Sequence, residues 1–264
     1  QLQAGGAGDL SDLAERLEIA GPGFINIKLK DDWLAGELAK STSGERLGVP
    51  APDVPQTVVV DFSSPNLAKE ILVGDAAATV IATPDPVVAE TLQAVFATER
   101  FRVYANPDVI GCELGGALKN VIAIASGMAD GLGTGDNTRA AVITRGLAEL
   151  TALGVAMGGQ QVTFAGLAGM GDLIATCISP QSRNRHVGEQ LGKGRSIEEI
   201  VDEMNMVAEG VKTSNVVMEL AREYEVDVPI TAQVQAVCHE GRSAADAYSG
   251  LLGGRTGVEH LGYE

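Results

Sequence analysis

The spacing of apolar positions changes character twice along this chain. Up to Leu29 it alternates, with Ile25, Ile27 and Leu29 on one face, which predicts two strands around the turn Gly21-Pro22-Gly23. A short helix is expected ahead of them over residues 8–17. Another, capped by Asp31 or Asp32, is expected up to about Lys40. Residues 41–44 and 50–55 read as loop or linker. The three consecutive valines within 57–62 predict a strand buried on both faces. A strand over 78–82, a helix over 86–98 and a strand over 101–104 then form a strand–helix–strand unit. After Asp108 the period becomes helical, with helices expected over 109–129, 137–158, 163–178, 183–192, 196–204, 211–224, 231–240 and 243–252. Ser196-Ile-Glu-Glu199 and Ser243-Ala-Ala-Asp246 open two of them as capping strings. The resulting fold class is mainly α: a small α/β segment precedes an all-helical C-terminal domain, without a complete dinucleotide-binding sheet.

Composition narrows this picture. Apolar residues make up 45% of the 264 but aromatics only 4%, so the core is built from Ala, Val, Leu and Ile. A formal net charge of −16 opposes a general nucleic-acid surface, yet leaves room for a small anion held by a few local arginines. Cys112, Cys177 and Cys238 are odd in number, widely spaced and in apolar surroundings; they read as buried free thiols, and no metal-ligand spacing emerges. With no signal peptide and no apolar run of bilayer length in view, a cytoplasmic protein without membrane contact is expected. The start at Gln1 instead of methionine reads as that of a fragment.

The candidate chemistry begins in the run from Gly111 to Gly131. It places Lys119 inside an otherwise apolar, small-residue helix, and burying an unpaired ammonium is costly. Either Lys119 snorkels to water or the fold keeps it for proton transfer. Downstream lie an acid, Asp172 in Gly169-Met-Gly-Asp172, and the polar cluster Ser182-Arg-Asn-Arg185. A lysine, an acid and an arginine cluster suit a small phosphorylated substrate whose oxygen gains or loses a proton. Asp172 also reads as a helix-capping carboxylate. Cys112, His186 and His239 read as packing or surface residues. Gly115 and Gly116 read as points where another backbone comes close to the lysine helix.

From about Pro65 to Gly241 the chain resembles bacterial-type NAD(P)-dependent glycerol-3-phosphate dehydrogenase. The strings that carry the resemblance include Pro65-Asn-Leu-Ala-Lys-Glu70, Cys112-Glu-Leu-Gly-Gly-Ala-Leu-Lys-Asn-Val-Ile-Ala-Ile-Ala125, Thr163-Phe-Ala-Gly-Leu-Ala-Gly-Met-Gly-Asp-Leu173, Ser182-Arg-Asn-Arg185 and Val207-Ala-Glu-Gly-Val211. The resemblance implies reduction of dihydroxyacetone phosphate with NADH or NADPH to sn-glycerol 3-phosphate, or the reverse. Lys119 falls on the family's catalytic lysine, which exchanges a proton with the C2 oxygen. Asp172, Ser182, Arg183, Asn184, Ser64 and Asn66 fall on or beside substrate-contacting positions, with Ser64 where the family usually has glycine. Ala68, Arg183, Val207 and Glu209 fall on positions near the cofactor.

The family's nucleotide-binding domain begins with a glycine-rich phosphate loop after a first strand, and this chain has no Gly-x-Gly-x-x-Gly after a strand. Residues 1 to about 71 instead resemble the N-terminal domain of arginyl-tRNA synthetase, through Ile19-Ala-Gly-Pro-Gly-Phe-Ile-Asn-Ile27, Glu45-Arg-Leu-Gly-Val49 and Val58-Val-Val-Asp-Phe-Ser-Ser-Pro-Asn66. The His-x-Gly-His signature expected next is replaced by Leu72-Val-Gly-Asp75, so aminoacylation is not expected. Both resemblances share Ser64-Pro-Asn-Leu-Ala-Lys-Glu70, which predicts a chimera joined there. The expected division is a synthetase-like segment over 1–66, a nucleotide-domain remnant over 67–106 and a helical dehydrogenase domain over 107–264. Two alternatives stand beside the dehydrogenase reading: an inactive binding or oligomerising module, and an RNA-binding fragment carried by the first 60 residues. A sheet edge left by missing strands favours homo-oligomers.

Overall fold

The computed structural model describes residues 14–20, 24–29, 67–204 and 208–252. The helix expected over 31–40, the strand over 57–62 and most of the synthetase-like segment lie outside the described residues. So does the junction at Ser64-Pro-Asn66. Strands β1 (Ala14–Ala20) and β2 (Phe24–Leu29) form an antiparallel pair in register from Ala20↔Phe24 to Arg16↔Lys28, with an irregularity before Ala14↔Leu29. The hairpin matches expectation, but the helix predicted over 8–17 does not hold for 14–17. There the cross-strand ladder outweighs the helical preference of Ala-Glu-Arg.

The strand–helix–strand unit is present. After α1 (Ala68–Val73), β3 (Ala77–Ala82) and β4 (Phe101–Asn106) pair in parallel, joined by α2 (Pro86–Phe96). Val80 and Ala82 of β3 pack with Cys112 and Ala168, which seats this small layer on the helical body. Asp108 fastens the seam, its carboxylate accepting from the Gly111 amide at 2.9 Å and the Gln160 amide at 2.8 Å. Burial alone would raise the Asp108 pKa; the hydrogen bonds from Thr163, Gln160 and Gly111 outweigh it and hold the carboxyl below its ordinary value.

The body is organised around α3 (Val109–Gly131), which touches α4 (Asp136–Ala156), α5 (Gln161–Phe164), α6 (Asp172–Ile178), α7 (Arg183–Gly192), α9 (Glu209–Glu223) and α10 (Pro229–His239). Helices α8 (Ile197–Glu203) and α11 (Ala244–Leu252) complete it. Contrary to the sequence reading, α3 is long and apolar enough to cross a membrane, but here it is the core helix, buried continuously from Val121 to Ala129. The expected helix over 163–178 is also corrected. It breaks into α5, a π-helical turn (Leu167–Gly171) and α6, with the Gly171 amide reaching back five residues to the Gly166 carbonyl at 3.1 Å. Three glycines in this stretch weaken the ordinary helical hydrogen-bond pattern enough to allow it.

Five glycines in α3 cost roughly 1 kcal/mol each relative to alanine in a helix interior. What they allow is contact between backbones. A Cβ at Gly127 would overlap the Arg185 carbonyl, and one at Gly188 of α7 would overlap the Ile124 carbonyl. Gly131 and Gly192 repeat the pattern one turn on, against Glu189 and Met128. The two helices therefore meet along a Gly-x-x-x-Gly face on each, with dispersion contacts that larger residues would forfeit.

A buried acid joins distant elements on the other side. Glu149 of α4 is 3% exposed and accepts from the Ile230 amide at 2.6 Å and the Thr231 amide at 3.2 Å, capping α10. Burial pushes its pKa up to about 7, against the lowering effect of the bonds from Ile230 and Thr231.

Two outcomes are expected from this packing. Gly188→Ala should lose about 1–3 kcal/mol in urea unfolding by overpacking the α3–α7 contact. Gly135→Ala, where an added Cβ meets nothing within 4 Å, is the matched control and should stay within about 0.5 kcal/mol of the parent. Between about pH 4.5 and 7 the folded state holds a proton on Glu149 that the unfolded state releases, so this group's contribution to stability falls as pH rises through that window. The stability difference between the parent and Glu149→Gln should shrink by up to about 3 kcal/mol from pH 4.5 to pH 7.5; an unchanged difference would show that the site does not titrate there.

Candidate active site

Lys119 and Asp172 meet. Lys119 sits in the middle of α3 between the buried Leu118 and the buried Val121–Ile122 pair, its side chain only 14% exposed. Asp172 begins α6 with its side chain 5% exposed, and its Oδ2 forms an ion pair with the Lys119 ammonium. The lysine therefore does not reach free into water. Thr176, one turn along α6, donates to Asp172 Oδ1 at 3.3 Å.

Local backbone explains why the acid arrives there. Gly115 lies one turn before Lys119 on the same face of α3, and a Cβ on it would overlap the Ala168 carbonyl of the π-helical turn. The missing side chain lets that turn lie against α3, and the next residues bring Asp172 over Lys119. The expectation that Gly115 admits a second backbone is met here.

The start of α7 forms the neighbouring part. Ser182 is its N-cap, with Oγ accepting from the Arg185 amide at 3.2 Å. Asn184 is 6% exposed and bound on both sides: Nδ2 donates to Asn120 Oδ1 at 3.0 Å, and Oδ1 accepts from the Gly210 amide at 2.9 Å. Arg183 points outward, 39% exposed, with Nη2 3.4 Å from Oε1 of Glu209, which is 60% exposed at the start of α9. Of the residues singled out in the sequence, the structure thus brings Lys119 together with Asp172, and Arg183 with Glu209. Ala68 opens α1, while Ser64, Asn66 and Val207 lie outside the described residues.

Three partners were not singled out in the sequence: Asn120, Gly210 and Asp130. Asn120 carried the same signal as Lys119, a polar side chain in an apolar helix. Asp130 gave no local sign. It meets Arg185 at 2.8 Å and Arg139 at 3.0 Å, and so pins the first turn of α7 to the end of α3 and to α4. Cys177 is buried beside this region, and burial pushes its thiol up to about 12, which leaves no thiolate for nucleophilic chemistry near neutral pH.

A dinucleotide would be expected at the helix start of a parallel β–α–β unit. In the β3–α2 connection that position is filled. Asp85 accepts from the Val87 amide at 2.8 Å and the Val88 amide at 3.2 Å, and Pro86 has no N–H to offer. This unit does not fit a pyrophosphate.

Comparison with known proteins bears on the site directly. Residues 108–249 match the family described as NAD-dependent glycerol-3-phosphate dehydrogenase C-terminus. The chain is 56% identical over 218 residues to a glycerol-3-phosphate dehydrogenase [NAD(P)+] 2 of Sphingopyxis alaskensis, covering 82% of this chain and 66% of that protein. It is also 56% identical over 191 residues to a glycerol-3-phosphate dehydrogenase [NAD(P)+] of Mycobacterium avium, covering 72% of this chain and 56% of that one. The crystal structure of glycerol-3-phosphate dehydrogenase from Coxiella burnetii is similar at a TM-score of 0.70 and 40% identity, over 72% of this chain and 58% of that one. The chain thus spans a little over half to about two thirds of the length of these relatives. The 218 residues matched to the Sphingopyxis protein are more than the chain contains after Ser64, so the likeness reaches further toward the N-terminus than the strings from Pro65 onward.

Breaking the central ion pair should be costly. Asp172→Leu leaves the Lys119 ammonium largely buried without its carboxylate and is expected to lose about 3 kcal/mol in urea unfolding. The double variant Lys119→Met/Asp172→Leu should recover most of that loss. A double variant no more stable than the single one would show that the pair's charges are not what the site balances.

Proposed function

Because the chain belongs to the NAD-dependent glycerol-3-phosphate dehydrogenase family, matched through its C-terminal domain over residues 108–249, we propose that its helical body is the substrate-binding part of such an enzyme. The reaction is the interconversion of dihydroxyacetone phosphate and sn-glycerol 3-phosphate with NAD or NADP. The observation that carries this reading is the nearly buried Lys119–Asp172 pair, with the next residue of α3, Asn120, hydrogen-bonded to Asn184 in the first turn of α7.

Each residue has a physical role in the proposal. Lys119 gives a proton to the C2 oxygen during reduction and takes it back in oxidation. Asp172 holds the ammonium in place, and Thr176 steadies the carboxylate. Arg183 receives the phosphate. Its contact with Glu209 is long and solvent-exposed, so it is worth at most about 1 kcal/mol, and a phosphate with bidentate geometry displaces it. Ser182 and Asn184 border the phosphate while keeping their bonds to Arg185 and Gly210. Ser64 and Asn66 complete the substrate side, and Ala68, Val207 and Glu209 face the cofactor, by resemblance. No step is assigned to the β3–α2 unit, whose helix start is already filled by Asp85. A division at about residue 107 is supported by Asp108, which follows β4 and whose carboxylate accepts from Gly111 and Gln160 of the helical body.

We also propose a synthetase-like origin for residues 1–66, with the joint sought near Ser64-Pro-Asn66. It is supported by the strings there and by the β1–β2 hairpin where Ile19–Ile27 foretold one. The dehydrogenase likeness extends ahead of Ser64, which weighs against a joint as late as Ser64-Pro-Asn66 and favours an earlier one.

A thermal-shift titration with sn-glycerol 3-phosphate tests the main reading. At a concentration 100-fold above Kd the ligand should add about 2.7 kcal/mol to apparent stability. Arg183→Ala and Lys119→Met should each diminish the shift. A cooperative melt that the ligand leaves unmoved would refute a formed substrate site in this chain.

A further inference from the structure

We propose that the cavity where the end of α7 and the end of α10 face the starts of α8 and α11 is a second binding site, for an organic anion with an apolar body. The cavity is about 340 Å³, within the range of small-ligand sites, and it shares no lining residue with the Lys119–Asp172 region. It is independent of the dehydrogenase reading.

Its two ends differ in chemistry. The inner wall is apolar, with Leu191 and Val237 each 6% exposed and Leu132 beside them. A narrower apolar gap shares Leu132 and Ala244 with it and continues beneath α11 to Met128 and Val142. The mouth carries Arg195 and Arg242. Arg195 is held by Glu203 at 2.6 Å. Arg242 donates to the neutral amide of Gln233 at 2.6 Å and has no carboxylate partner among the described residues. Its remaining guanidinium donors are the ones suited to a carboxylate head group. Glu198, also on the wall, opposes an anion and marks the side from which the head group turns away, toward Arg242. His239 is already committed to the Ser214 hydroxyl at 3.1 Å and the Val211 carbonyl at 2.8 Å. The starts of α8 and α11 are capped by Ser196 and Ser243, so the helix ends themselves are not what would hold the ligand.

An anionic head at Arg242 and a tail along Leu132 would use both ends at once. A purely polar anion would leave the inner wall dry and unused, and a neutral hydrocarbon would leave Arg242 with its Gln233 bond alone.

Isothermal titration calorimetry of the whole chain with sodium octanoate tests this, with butyrate and octanol as the arms lacking tail or charge. Octanoate should bind, and both comparison compounds should bind at least tenfold more weakly. Arg242→Ala should weaken octanoate about tenfold or more, as loss of a charge-assisted bond does. Ala245→Phe, a substitution at an exposed wall position, should weaken it by filling the space. Arg183→Ala should leave it unchanged. The proposal is overturned if octanoate gives no binding, if Arg242→Ala and Ala245→Phe both bind it as the parent does, or if octanol binds as tightly.

Discussion

Everything in the helical body is referred to the contact between α3 and α7, where the two main chains touch through Gly127, Gly131, Gly188 and Gly192. The contact sets a fixed distance between the helix that carries Lys119 and the helix whose first turn carries Arg183. Side chains at these positions would push the helices apart by the width of a methyl group or more. Asp130, held by Arg185 and Arg139, then removes the remaining freedom to slide. Helical propensity is sacrificed in α3 so that tertiary contact can replace it, which is the usual balance for a helix buried on nearly all sides.

Against that rigid pair, the chemistry is local and electrostatic. An ammonium 14% exposed is stable where it is because a carboxylate 5% exposed lies against it. The carboxylate in turn depends on a π-helical turn that an ordinary helix would not provide. Such turns cost regular hydrogen bonding and persist where the surroundings demand them. Here the demand is visible: Gly115 on α3 accepts the Ala168 carbonyl, and the acid comes four residues later. Arg183 differs in kind. It is solvated and loosely paired, so little free energy holds it to Glu209.

Much of this was legible before any coordinates. The helical period placed α3, α4 and α7 within a few residues of their observed ends. The Ser196–Glu199 string forms both reciprocal bonds of a capping box. Lys119, Asp172 and Arg183 stood out as charges in unexpected company. What escaped notice depends on distance along the chain. The π-helical turn arises from an approach between residues 115 and 168, and Asp130 meets an arginine 55 positions later. Local preference also misled at Ala14 to Leu17, where a partner strand decided the backbone. Asn184 stood out as a polar residue in a cluster, and its bonds to Asn120 and Gly210 come from elements 64 and 26 residues away. Which hydrogen bonds a polar side chain has left to give is a property of packing, and no string of letters carries it.

The Glu149 cap on α10 imposes an order in time. Its acceptor oxygens lie 81 and 82 residues ahead of the amides they serve. A chain emerging from the ribosome at about 5–20 residues per second exposes this carboxylate several seconds before Ile230 and Thr231 exist. Until then α4 has a polar group where the finished protein has a sealed interior, and closing over it unsatisfied would be costly. Glu149 therefore gains its backbone partners only once α10 has been made, and the seal over the acid is among the last contacts the chain can form.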